Sequence, residues 1–130
     1  MSDNRLSPNE YSPLALAFMG DAVYEVLVRR AIIGRANRAA GDLHSQSVAM
    51  VRASAQAEAA NAVLPHLTDA ELAVYKRGRN AHPAHMPRGS RISDYHAATG
   101  LEALFGWLYM SENFDRIDFL FGIILDAMGA

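Results

Sequence analysis

The sequence predicts an all-α fold, a helical bundle forming a single domain. Three observations point there. Apolar residues recur three and four positions apart along most of the chain, the spacing of one helix face. No segment shows the sustained alternation of a half-buried strand. Alanine supplies much of the 51% hydrophobic content, and alanine favours helices and lets them pack closely. A length of 130 residues suits one domain with one core, and no repeat or linker suggests a second.

Residues 1–11 read as a loose N-terminal arm and residues 12–130 as the domain itself. Ser12 is a good N-cap, and Pro13 then takes the first helical position. This helix runs to about Ile33, where Gly34 can end it. Asp42 caps a second helix, residues 43–51. A third, alanine-rich helix starts near Ser54 and stops before Pro65. Thr68 and Glu71 make a capping box for a fourth, residues 69–79. Residues 80–92, with two prolines and a glycine, read as a loop. Ser93 caps a fifth helix that reaches Tyr109, and Asp115 caps the last, residues 116–128.

The composition excludes several function classes. With no cysteine there are no disulfides and no thiolate zinc sites, which suits a reducing compartment. No apolar run approaches a membrane span, and no signal-peptide pattern opens the chain, so a cytoplasmic location is expected. The net charge of −2 is unremarkable, but nine of the twelve Lys and Arg residues fall in two windows free of acids. Arg29, Arg30, Arg35 and Arg38 form the first, and Lys76, Arg77, Arg79, Arg88 and Arg91 the second. Such windows either bind phosphates or are simply solvated.

Two carboxylates interrupt apolar stripes. On the first helix, Leu14, Ala17, Phe18, Asp21, Tyr24, Glu25 and Val28 share one face. On the fifth, Tyr95, Ala98, Thr99, Glu102, Phe105, Gly106 and Tyr109 do the same. Gly20 and Gly106 lie beside the acids, and helices crossing through them would bring Asp21 and Glu102 together. A carboxylate on an apolar face is costly unless it is paired or holds a cation. Periodicity leaves both options open: each acid meets an arginine in the bundle, or together they bind a hard cation such as Mg²⁺.

LALAFMGDAVYE at 14–25 and TGLEALFGWLY at 99–109 resemble the two signature helices of the ribonuclease III family. Between them, YKRGRNA at 75–81 resembles the segment leading into the second signature, and HSQSVAMVRASAQAE at 44–58 the second-helix region. The similarity is greatest to the Mini-ribonuclease III branch, which has the catalytic domain alone, and it covers roughly residues 12–128.

This resemblance implies a ribonuclease III-type helical bundle. It also implies a Mg²⁺-dependent endoribonuclease that cuts double-stranded RNA as a homodimer, leaving 5′-phosphate and 3′-hydroxyl ends. Trimming of large-subunit (23S) ribosomal RNA precursors is the implied task. Asp21 and Glu102 match the family's metal-binding, catalytic acids. The two further acidic positions of full-length enzymes fall on Ala17 and Thr99, as in the Mini-ribonuclease III branch, so one firmly held Mg²⁺ is the expectation. Lys76, Arg77, Arg79, Asn80, Arg88 and Arg91 are candidate RNA contacts, since A-form RNA is read by shape and backbone. His82 and His85 are expected at RNA or solvent, and Glu25 in a helix-stabilising or interface role. Trp107, Phe119 and Phe121 are expected in the core or at a dimer contact. Two other readings use the same residues: a catalytically silent module that binds structured RNA, and a metal-dependent hydrolase of small phosphate esters.

Overall fold

The computed structural model describes residues 6–35, 39–81 and 91–129, and all of its regular structure is helical. Six α-helices follow in order: α1 (Pro13–Arg35), α2 (Ala40–Val51), α3 (Ala53–Val63), α4 (Asp69–Arg79), α5 (Ile92–Met110) and α6 (Phe114–Ala127). The all-α bundle predicted from the sequence is therefore the fold.

The start of α4 matches its capping box. Thr68 Oγ1 accepts from the Glu71 N–H at 3.2 Å, and Glu71 Oε1 accepts from the Thr68 N–H at 2.9 Å. Three other starts lie earlier than expected. Ala39, Arg91 and Asn113 hold the cap positions of α2, α5 and α6, none with a side-chain capping bond. Asp42 and Asp115 lie inside the first turn instead, where a negative charge still complements the helix dipole. Pro8–Glu10 is a short 3-10 turn rather than loose chain. Asn9 Oδ1 accepts from the Trp107 indole at 3.0 Å, and Glu10 bonds back to the Ser7 N–H at 2.9 Å.

Helix α5 is the centre of the bundle, with α1, α3, α4 and α6 packed around it. It is buried on nearly all sides, through Ala98, Leu101, Ala103, Leu104, Phe105 and Leu108. The single apolar stripe expected of it is thus too narrow. Around it the core closes with Tyr24, Val28 and Ile32 from α1, Val63 from α3, and Leu120, Phe121 and Ile124 from α6. Tyr24 sets its ring edge-on to Phe105 and Phe121 at centroid distances of 5.5 and 5.7 Å.

The α1–α5 crossing depends on glycine. A Cβ on Gly20 would strike the Glu102 carbonyl, and one on Gly106 the Leu16 carbonyl. On the other side of α5, a Cβ on Gly78 of α4 would come 2.6 Å from the Ala103 Cβ and 3.0 Å from the Gly100 Cα. A second lock joins α4 to α6. Arg116 grips Glu71 through Nε to Oε2 at 2.8 Å and Nη2 to Oε1 at 2.9 Å, and donates to the His66 carbonyl at 2.7 Å. Burial alone would raise the Glu71 pKa, but the Arg116 and Thr68 hydrogen bonds outweigh it and hold the carboxyl below its usual value. Its contribution is therefore present at neutral pH and lost as the pH falls through the depressed value.

Gly106→Ala should cost about 3 kcal/mol or more, because the new Cβ meets backbone that cannot yield. Gly122→Ala, where nothing lies within 4 Å, should be neutral or stabilise by up to about 1 kcal/mol. Urea unfolding of the two variants checks the contrast, and equal midpoints would refute the close-crossing account. Arg116→Ala should cost about 3 kcal/mol, since it strands a Glu71 side chain only 4% exposed. A loss below about 1 kcal/mol would show the pair to be peripheral.

Candidate active site

The glycine crossing sets the two interrupting carboxylates side by side. Gly20 seats α1 on the carbonyl of Glu102, so the next residue, Asp21, emerges beside the Glu102 side chain. Asp21 is exposed and Glu102 half-buried, and the Asp21 carboxylate lies near enough for its charge to act on the Glu102 carboxyl. Burial drives the Glu102 pKa up to about 7, from an ordinary value of 4.5. A hydrogen bond from Gln56 works against this shift, and the adjacent Asp21 charge adds to it.

Among the described residues, the ion pairs use other acids: Glu25 with Arg29, Asp118 with Arg30, and Glu71 with Arg116. Neither Asp21 nor Glu102 forms an ion pair with an arginine among the described residues. Two adjacent carboxyl groups offer oxygen donors that fit a hard divalent cation, which would relieve the repulsion between them. Ala17 and Thr99 lie one turn before the acids and are both buried. Thr99 Oγ1 donates to the Tyr95 carbonyl of its own helix at 3.0 Å.

Gln56 is the site residue that sequence reasoning missed. Its Nε2 lies 3.2 Å from Glu102 Oε2. A signal was there: Gln56, Ala59, Ala60 and Val63 follow helical spacing, and a polar residue on a buried stripe calls for a partner. Glu25 does what was expected of it, bonding Arg29 at 3.4 Å and accepting from Ser47 at 3.3 Å, which ties α1 to α2.

The second basic window lies at the end of α4 that packs on α5. A Cβ added to Gly78 would come 3.1 Å from the Thr99 carbonyl, one turn before Glu102. From that end of α4, Lys76 and Arg77 are exposed, while Arg79 lies over the Tyr75 ring and bonds Asn80 at 3.3 Å. Arg91 is exposed at the head of α5. His82, His85 and Arg88 lie outside the described residues, as does Arg38 of the first window. In that first window Arg29 and Arg30 are already engaged with acids.

Without metal, the folded state holds the Glu102 proton more tightly than the unfolded chain does. Stability is then greatest below pH 4.5 for this group and declines as the pH rises to about 7. The loss should be on the order of 3 kcal/mol at most. Glu102→Gln should flatten this slope, which is at most about 1.4 kcal/mol per pH unit, in thermal melts in EDTA across pH 5 to 8. Parallel profiles for the two proteins would count against the assignment.

The profile of the family described as "Ribonuclease III domain" matches residues 14–113. A Mini-ribonuclease 3 from Thermoanaerobacter sp. is 41% identical over 106 residues, covering 82% of this chain and 75% of that protein. One from Synechocystis sp. is 43% identical over 113 residues, covering 87% and 77%. A crystal structure of a protein from Fusobacterium nucleatum superposes with a TM-score of 0.85 at 26% identity, covering 95% of this chain and 99% of that one. A matching family profile, relatives that align over most of their length, and a shared bundle together show that the chain belongs to the ribonuclease III family.

Proposed function

We propose that this protein is a Mg²⁺-dependent endoribonuclease that cleaves double-stranded RNA as a homodimer. The observation that carries the reading is the close α1–α5 crossing, which sets Asp21 beside a half-buried Glu102, with neither acid in an ion pair among the described residues. In this reading Asp21 and Glu102 are the catalytic pair and would hold the cation. When bound, Mg²⁺ would supply an activated water and offset charge on the phosphate under attack. Hydrolysis then leaves 5′-phosphate and 3′-hydroxyl ends. Lys76, Arg77, Arg79, Asn80, Arg88 and Arg91 hold the phosphate backbone, and the packing of α4 against the acid-bearing stretch of α5 supports that role. The names of the Mini-ribonuclease 3 relatives support RNA as the substrate, and a large-subunit (23S) ribosomal RNA precursor in the cytoplasm is the natural candidate.

A second copy of the chain is the partner that the surface supports. Helix α1 turns Phe18, 83% exposed, and Val26 away from the core, contrary to the single stripe expected of it. Met19, Ala22, Val26, Tyr109 and Phe114 line an apolar groove beside them. Exposed apolar ground of this kind marks an interface. It begins one turn from Asp21, so a two-fold docking there sets two acid pairs on one duplex groove.

Asp21→Asn and Glu102→Gln should each lower cleavage of long duplex RNA about a hundredfold or more, with duplex binding retained in Ca²⁺. Sedimentation at micromolar concentration should show a dimer, and Phe18→Lys a monomer. Near-normal cutting by either acid variant in saturating Mg²⁺ overturns the assignment. RNA binding with no cleavage by the wild type would favour the silent RNA-binding module.

A further inference from the structure

Gln56 belongs to the buried face of α3 and is 3% exposed. Its Nε2 donates to the Val51 carbonyl at 2.8 Å and to Glu102 Oε2 at 3.2 Å. The Val51 carbonyl ends α2 and can only accept, so the amide cannot turn over without setting oxygen against oxygen. Both amide hydrogens are thereby committed. The other end of the group, Oε1, is buried and has no hydrogen-bond partner. Bond lengths keep it within about 6 Å of Glu102 Oε2. The Tyr24 hydroxyl is a second buried polar atom without a partner, on a side chain 1% exposed. It lies near enough to Glu102 for that charge to add to the upward push of burial on the phenol.

A buried acceptor left without a donor is costly, and such groups normally find protein or water. Mg²⁺ held by few carboxylates keeps several waters, and each water presents hydrogens that need acceptors. We propose that Gln56 is a positioning residue for the divalent cation: Nε2 orients the Glu102 carboxylate while Oε1 accepts a hydrogen bond from a water in the cation's shell. This rests on the reading of Asp21 and Glu102 as the cation's ligands. A neutral amide oxygen there anchors the hydrated ion without adding negative charge where the RNA phosphate must approach. That compensates for the apolar Ala17 and the self-bonded Thr99 one turn from the acids.

The test measures Mn²⁺ affinity of the RNA-free protein at pH 8, from the free-ion electron paramagnetic resonance signal. Gln56→Leu removes both the donor and the acceptor, and should weaken binding about tenfold or more. Gln56→Glu keeps acceptor oxygens and adds charge, and should bind more tightly than wild type. Both variants lose the bond to Val51, so a purely structural role would lower the melting temperature of both and leave both affinities unchanged. Wild-type affinity in Gln56→Leu overturns the proposal, as does a loss in Gln56→Glu equal to that in Gln56→Leu. If Gln56→Leu does not fold, Gln56→Glu decides alone: affinity above wild type supports the role, and unchanged or weaker affinity refutes it. If Asp21→Asn leaves wild-type Mn²⁺ binding undiminished, the carboxylate reading itself fails and this role fails with it. If Asp21→Asn weakens binding and Gln56→Leu does not, only the role of Gln56 is lost.

Discussion

The whole arrangement hangs on the contact between two helix backbones at Gly20 and Gly106. Each glycine faces a carbonyl of the opposite helix, so no side chain can be added at either place. The close approach has two consequences. It seats α1 against the most buried helix of the bundle, which lets Tyr24 reach Phe105 and Phe121 across the core. It also removes the spacing that would otherwise hold Asp21 and Glu102 apart. Glycine in a helix interior costs about 1 kcal/mol relative to alanine. The crossing offsets that cost with close-packed backbone and with a site that no wider crossing would form.

Two partly or fully buried glutamates show how neighbours decide ionisation. Glu71 is more deeply buried than Glu102, yet its carboxyl is held in the charged form. Arg116 and the Thr68 N–H supply donors that outweigh desolvation. Glu102 has one neutral amide donor and an acidic neighbour, so desolvation prevails and its pKa rises. The first arrangement stabilises the fold by itself. The second, in the proposed reading, is where a cation would gain the charge that the proton masks. Glu71 is satisfied by an arginine, and Glu102 has no cationic partner among the described residues.

The first helix serves both sides of the molecule. Leu16, Tyr24, Leu27 and Val28 face the core, while Phe18 and Val26 face outward over an apolar groove. Burial of that outer face against a second copy would leave the acids at the rim of the contact rather than beneath it, since Asp21 is exposed. Affinity for RNA would then come from the basic end of α4, whose arginines stay near the surface while Gly78 is pressed into α5.

Local rules made much of this legible. Helical spacing and capping chemistry marked the helices, and α4 was bounded correctly because Thr68 and Glu71 satisfy each other without outside help. The two acids stood out because a charge on an apolar stripe demands a partner, and adjacent glycines hinted at a crossing. Family resemblance was legible because its motifs are contiguous stretches of chain. Other features depend on what a side chain meets across a gap, which one helix's periodicity does not encode. The stripe through Leu14, Phe18 and Asp21 read as one buried face, but Leu14 and Phe18 stay exposed. Gln56 became part of the site only when the Arg52 corner between α2 and α3 turned it toward Glu102, 46 residues away in sequence. The sequence by itself determined the helices, their apolar spacing and the two acids. The tertiary structure alone decided which glutamate meets an arginine, which sits beside another acid, and which apolar face remains open, because desolvation and pairing arise only between helices that are far apart along the chain.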